Sequence, residues 1–239
     1  MADTLETIRR RRSLRMPFAL ARKPDSEDVA AILEAASWAP TAHNMQNFEV
    51  VVVSDPAVLE AVRAIRRPPS ETFIRENFGQ LSFTEEELRQ RRTGIMGTMF
   101  PPAWRDPDFR LDRFSADEID AMSRPMPPTP LLLVFLYDPS RRAPASEGDF
   151  LGIVSLGCVM ENVWLEAESR GLGLHIVSSL AEDPELRELL AIPDDRVVAF
   201  TARLGYPAGE PAPYVRVRRE IEDFAHRDRY GRPWRASGE

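Results

Sequence analysis

The chain has 239 residues, of which 43% are hydrophobic and 29% charged, and its formal net charge is −7. That length supports one domain with a sizeable core or two small ones, and the composition is that of a folded chain rather than a disordered one. The acidic balance excludes bulk nucleic-acid binding, which needs a basic surface to displace counterions, and the single cysteine, Cys158, excludes an intrachain disulfide and a Cys-rich metal site.

Met1 to Arg15 is charged and carries no apolar signal stretch. The most apolar segments, Leu131–Leu136 and the Phe150–Met160 region, read as too short and too interrupted to span a bilayer. A cytoplasmic protein with no membrane partner is expected. Lys23 is the only lysine, so no arginine can be singled out for its planar fork alone; its position has to carry the argument.

In chain order, a first helix is predicted from the Asp3–Glu6 capping-box spacing toward Arg12. A second follows Pro24–Asp25–Ser26, with Val29, Ile32, Leu33 and Ala36 on one face. The polar turn Pro40–Asn47 leads into Phe48–Val53, whose valine run reads as a buried strand, and Asp55–Pro56 starts a helix on Val58, Leu59 and Val62. Between Arg66 and Thr129 the spacings Thr84–Glu87 and Ser115–Glu118 predict two capped helices, separated by proline breaks, in a segment with the character of a lid or dimer arm.

Leu131–Tyr137 has no polar alternation, as in a strand covered on both faces. A long helix is predicted from about Glu147 to Arg170, with Leu151, Val154, Cys158 and Leu165 as its core stripe and Gly171 as its stop. Leu174–Val177 reads as a strand, Asp183–Leu190 as a short capped helix, and Val197–Leu204 as another strand, followed by a charged tail. One α+β domain over 1–239 is the expectation, with 66–129 inserted.

Several familiar chemistries lack their motifs. There is no P-loop, no G-x-G-x-x-G after a strand, no H-E-x-x-H and no G-x-S-x-G, and His43, His175 and His226 are scattered without ligand spacing. Three polar clusters remain. Arg11–Arg12–Ser13–Leu14–Arg15 puts three guanidinium groups and a hydroxyl within five residues, able to hold a phosphate and a second electron-rich group; a basic run at a helix C-terminus is also commonly a solvated face. Ala39–Pro40–Thr41–Ala42–His43–Asn44–Met45–Gln46–Asn47 presents donors and acceptors between a helix and a strand, as an ordinary polar loop also does. The third runs Gly171–Leu172–Gly173–Leu174–His175–Ile176–Val177–Ser178–Ser179–Leu180, joined by Gly205–Tyr206–Pro207 and Arg216–Val217–Arg218–Arg219, where the arginines alternate with valine as on an edge strand.

In this order the clusters resemble the nitroreductase family: R-R-S-x-R after the first helix, an A-P-T-x-x-N-x-Q loop before a strand, a G-L-G strand, and G-Y-P followed by R-x-R. The resemblance covers roughly Thr4–Val53 and Leu131–Arg219. It implies a three-layer α/β/α fold around a mostly antiparallel sheet, in an intertwined homodimer with shared flavin sites. It also implies FMN as cofactor, NAD(P)H as electron donor and a small-molecule substrate.

By the same resemblance, Arg11, Arg12 and Ser13 would grip the FMN phosphate and ribityl chain. Arg15 would stabilise negative charge at the pyrimidine end. Pro40, Thr41, Ala42, Asn44 and Gln46 would come from the partner subunit. Ser178–Ser179 would set a backbone N–H near flavin N5, and Arg216 and Arg218 would return to the phosphate. No side chain is expected to act as a catalytic nucleophile, because the chemistry is centred on the flavin. Asn47–Phe48 stands where many members have proline and tryptophan, and Ser178–Ser179 where members often have Glu-Gly or Gly-Gly, which leaves the acceptor open among reductive, dehalogenating and ring-oxidising chemistries. The expected function is ping-pong hydride transfer to an acceptor such as a nitroaromatic or quinone. The alternative is flavin binding or storage without turnover.

Overall fold

A computed structural model describes residues 4–76, 82–96, 106, 108–123, 125–177, 180, 183–210 and 215–235. Among these, the helices in chain order are α1 (Thr4–Arg10), α2 (Ser26–Ser37), α3 (Pro56–Ala64), α4 (Glu71–Glu76), α5 (Glu85–Arg91), α6 (Ala116–Ala121), α7 (Phe150–Ser169) and α8 (Pro184–Leu189). The strands are β1 (Phe48–Val53), β2 (Ser82–Phe83), β3 (Ile95–Met96), β4 (Leu131–Tyr137), β5 (Gly173–Val177) and β6 (Val197–Gly205). The chain divides into two compact units, Met1–Arg67 with Arg124–Pro211, and Pro68–Ser123 with Ala212–Glu239.

The first unit is built on a four-stranded antiparallel sheet in the order β1-β4-β6-β5. β4 lies inside it, and its alternation sorts side chains to two cores. Leu131, Leu133 and Phe135 pack with Ile32 and Ala36 of α2 and with Val159, Val163, Trp164 and Ala167 of α7. Leu132, Val134 and Leu136 pack on the other face with Leu59 and Val62 of α3 and Leu186 of α8. Both faces are therefore covered, which is why the sequence of β4 runs apolar without alternation. This is the three-layer α+β arrangement expected.

Helix ends follow local chemistry. Asp25 Oδ1 accepts from Asp28 N at 3.2 Å, Asp55 Oδ1 from Ala57 N at 2.8 Å and Val58 N at 3.1 Å, and Asp183 Oδ1 from Glu185 N at 2.9 Å. Each carboxylate satisfies N–H groups that the first helical turn leaves open. Gly171, at φ +70°, closes α7 in the left-handed conformation that costs glycine least.

Several expectations are corrected. α1 ends at Arg10, so Arg11–Arg15 leaves the helix as extended chain instead of forming its last turn; the Asp3 cap lies outside the described residues. β1 is an edge strand and only partly buried, with Val52 37% exposed, because no further strand of the chain pairs with it among the described residues.

The core stripe of α7 is Gly152, Ser155, Val159, Val163, Trp164 and Ala167, while Leu151 and Val154 face outward. α7 is apolar around much of its circumference, so periodicity could not choose the inner face. At 20 residues with a mean hydropathy of 1.4, α7 is also long and apolar enough by composition to cross a membrane, although its inner stripe packs on the sheet.

The second unit has its own small core of Ile74 and Leu111, flanked by Phe109, Ile119 and Met122. Both predicted capping boxes form: Thr84 with Glu87 and Ser115 with Glu118 exchange side-chain and backbone bonds reciprocally. Arg92, 3.3 Å from both Glu220 and Asp223, joins the tail to α5. Residues 215–220 have no regular secondary structure, so the arginine–valine alternation there does not mark a strand.

Candidate functional site

The R-R-S-L-R segment is seated by two glycines. Ser13 bridges Leu174 in parallel, and Leu14 N donates to Leu174 O at 2.9 Å, which lays the segment along the outer edge of β5. A Cβ on Gly173 would collide with Leu14 Cδ2 and come within 2.9 Å of Leu14 Cβ and Cγ. Further on, Ala19 N donates to Tyr206 O at 2.9 Å and Ala208 N to Pro17 O at 3.1 Å. A Cβ on Gly205 would come within 2.7 Å of Pro130 Cγ and 3.1 Å of Phe18 Cδ1. The G-L-G and G-Y-P motifs thus share one physical purpose: their missing side chains let residues 13–18 lie against the end of the sheet.

Tyr206 supplies a polar anchor for the same crossing. Its hydroxyl donates to Asp28 Oδ2 at 2.8 Å, Arg170 Nη1 donates to Asp28 Oδ1 at 3.0 Å, and the Arg22 guanidinium lies 3.5 Å over the tyrosine ring. The hydrogen bond from Arg170, and then that from Tyr206, hold the Asp28 carboxyl below its ordinary pKa.

The cationic side chains of the segment are arranged unequally. Arg11 pairs with Glu161 at 3.2 Å and lies 4.6 Å over the Trp164 ring, so α7 fixes it. Trp164 Nε1 donates to Arg12 O at 3.2 Å, fixing the backbone there and leaving the half-buried Arg12 side chain without an ion-pair partner among the described residues. Arg15 is exposed and also lacks such a partner. Its charge acts on His175 of β5, whose pKa is pushed down to about 4, first by burial, then by Arg203 and Arg15.

The A-P-T loop is rigid for its length. Ala42 N donates to Ser155 Oγ of α7 at 3.0 Å, Gln46 N to Thr41 Oγ1 at 3.1 Å, and Gln46 Nε2 to Asn44 Oδ1 at 3.2 Å. His43, Asn44 and Gln46 all have positive φ, of 55°, 53° and 45°. Three non-glycine residues in the left-handed region are uncommon, and such strain persists only where surroundings enforce it. Pro40, Asn44 and Gln46 are exposed, and Thr41 and Ala42 half-buried. The anchor of this loop, Ser155, and that of the arginine segment, Trp164, are nine residues apart on α7, or roughly 13 Å along its axis.

Ser178 and Ser179 lie outside the described residues. Arg216 and Arg218 belong to the second unit, where Arg218 Nη1 donates to Val217 O at 2.7 Å. The sequence reading missed Arg203: it is wholly buried on β6 and in contact with His175. An arginine between Ala202 and Leu204 in an apolar strand was the available signal.

A three-layer sandwich whose sheet end carries an arginine-rich extended segment, seated by two packing glycines, defines the α+β class to which the chain belongs. The chain belongs to the nitroreductase family, whose sequence pattern matches residues 8–206. It is 23% identical over 210 residues to an NADPH-dependent oxidoreductase of Staphylococcus aureus (strain USA300), covering 87% of this chain and 67% of that one. Among solved structures, a nitroreductase with bound FMN from Bacteroides fragilis NCTC 9343 shares the fold at a TM-score of 0.55 and 21% identity, over 91% of this chain and 96% of that one. Oxidized iodotyrosine deiodinase bound to FMN and 3-iodo-L-tyrosine shares it at a TM-score of 0.57 and 21% identity, over 92% and 96%.

Proposed function

We propose that this chain is a cytoplasmic FMN-dependent oxidoreductase that takes hydride from NAD(P)H and delivers it, in a ping-pong cycle, to a small organic acceptor such as a nitroaromatic or quinone. The observation that carries the reading is the seating of Arg12, Ser13 and Arg15 on the edge of β5, within a family whose solved relatives include FMN complexes. Two cations without acidic partners among the described residues suit a phosphate-bearing, electron-rich ring system and would be an uncompensated expense elsewhere.

FMN, when bound, supplies the hydride chemistry, so the protein needs no nucleophile of its own. The chain's task is to grip, orient and tune. Arg11, Arg12 and Ser13 hold the phosphate and ribityl end, Arg11 with its orientation fixed by Glu161 and Trp164. Arg15 sets a positive charge beside the pyrimidine end, favouring negative charge there. Ser178–Ser179 are assigned to the N5 end, and Arg216 and Arg218 to the phosphate, from the sequence pattern alone.

Pro40, Thr41, Ala42, Asn44 and Gln46 complete the site of a second copy in a homodimer. Two features support this. The loop and the arginine segment are held at separate places along α7, and Phe150, Ile153 and Val154 on the outer face of α7 are 67%, 65% and 46% exposed. An apolar face of this kind on a core helix suits burial against a second copy of the chain.

Initial rates at several fixed acceptor concentrations test turnover. Parallel double-reciprocal lines against NAD(P)H are expected. Bound flavin without NAD(P)H oxidation would overturn the enzyme reading in favour of flavin storage.

A further inference from the structure

The face of the sheet toward α3 and α8 packs Leu132, Val134 and Leu136, and among them stands a fully buried cation. Arg203 stands on β6 with Leu132 beside it on β4 and His175 beside it on β5, in register on both sides. Its Nη2 donates to Pro128 O at 2.9 Å, its Nη1 lies 3.1 Å from His175 Nδ1, and its guanidinium carbon sits 4.6 Å over the Phe18 ring. Its Nε has no hydrogen-bond partner among the described residues. No carboxylate among the described residues pairs with it, and burial alone pushes its pKa down to about 10, which leaves it charged at neutral pH. A buried charge kept without a counter-ion needs a reason beyond packing.

The contact with His175 has a definite chemical sense. A guanidinium only donates, so His175 Nδ1 must accept, and the ring proton then resides on Nε2. An imidazolium has no lone pair to accept with, so this bond exists only while the ring is neutral. The charged groups that bear on the ring are Arg203 from β6 and Arg15 from the segment on the edge of β5; both oppose its protonation.

We propose that Arg203 and His175 are a positioning pair for the pyrimidine end of the flavin site, Arg203 fixing His175 as a neutral ring that donates from Nε2 beside Arg15. This rests on the flavin reading given above. The pair has two consequences. The positive charge tuning the flavin is then that of the arginines, Arg15 and the buried Arg203 behind the ring, constant across the pH range in which an ordinary histidine would add to it. The ring also offers a donor of fixed orientation, because Pro128 O and Phe18 immobilise the arginine behind it.

Imidazole-15N spectra of the flavin-loaded protein between pH 5 and 8, with the His175 signals assigned by His175→Gln, test the pair. The expected result is an unprotonated, hydrogen-bonded Nδ1, a protonated Nε2, and no titration in that range. Followed down to pH 4, the midpoint of the ring in Arg203→Met should rise from about 4 by the part owed to the Arg203 charge, with burial and Arg15 still holding it below the ordinary value. The flavin midpoint potential of that variant should gain an extra pH dependence below this midpoint which the unaltered protein lacks.

A His175 that titrates near pH 6.5 in the unaltered protein, or carries its proton on Nδ1, overturns the proposal. So does a flavin potential in Arg203→Met that follows the unaltered protein at every pH although its His175 titrates. The spectra of the unaltered protein decide tautomer and charge even if Arg203→Met does not fold. A protein that takes up no flavin overturns the functional reading and the positioning role with it, whereas a wrong tautomer in flavin-loaded protein overturns the pair alone.

Discussion

Arg12 and Tyr206 show how differently single residues contribute here. Arg12 lacks an ion-pair partner among the described residues, and its backbone is fixed by Trp164, so removing its side chain should spare the fold. A charge-assisted contact to phosphate is worth about 1.5–3 kcal/mol, so Arg12→Ala is expected to weaken FMN binding about 10- to 100-fold, with an unchanged thermal midpoint in the flavin-free protein. Fluorescence titration with FMN measures the first and calorimetry the second; equal FMN affinity would remove Arg12 from the site.

Tyr206→Phe should act the other way, through the fold. It loses the hydroxyl bond to Asp28, at a cost of about 1–2 kcal/mol in urea unfolding at neutral pH. The carboxyl of Asp28 is held below its ordinary value in the folded chain. Its contribution is therefore present above the unfolded value of about 3.9 and lost as the pH falls through the folded one. The difference between Tyr206→Phe and the unaltered protein should shrink on acidification below about pH 4. A gap that stays constant down to the acid transition would refute the assignment of this bond to the carboxylate.

Secondary-structure elements were read unevenly. β4, β5 and β6 were legible because a strand covered on both faces leaves a run of apolar residues with few rivals. Both capping boxes in 66–129 were legible because the bonds are local. α7 was legible as a helix but not in its inner face: Leu151 and Val154 point outward while Gly152 and Ser155 point inward. α7 is apolar around much of its circumference, and periodicity then cannot choose the inner face.

That misread face yields a prediction at the same scale. Ile153→Glu sets a charge in the exposed apolar face of α7, away from the sheet. It should convert a dimer to a monomer in light scattering at micromolar concentration while leaving the helical circular-dichroism signal intact. A variant that still elutes as a dimer would put the interface on another surface.

For the whole molecule, the order of four weak motifs carried more than any one of them. R-R-S-x-R, A-P-T-x-x-N-x-Q, G-L-G and G-Y-P are individually compatible with an ordinary helix end, loop or turn. What joins them is long-range: residues 13–18 lie on Leu174 and on 206–208, and two glycines make room for them. Such pairing between segments some 160 to 190 residues apart has no local signature. Arg203 escaped notice for a related reason, since its neighbours in register, Leu132 and His175, are distant in sequence.

Gly173→Ala tests this joint directly. The added Cβ has no room against Leu14, so the segment must shift, with a stability loss of about 1–3 kcal/mol and a weaker hold on FMN. FMN binding equal to that of the unaltered protein would mean that the segment does not form the site.

Flavin-dependent hydride uptake by this chain is read from the visible spectrum of the freshly purified protein during anaerobic addition of NADPH and then NADH. A bound-flavin spectrum that bleaches on addition of at least one of the two is expected. A colourless protein that takes up no added FMN, or a bound flavin that neither nucleotide bleaches, would contradict it.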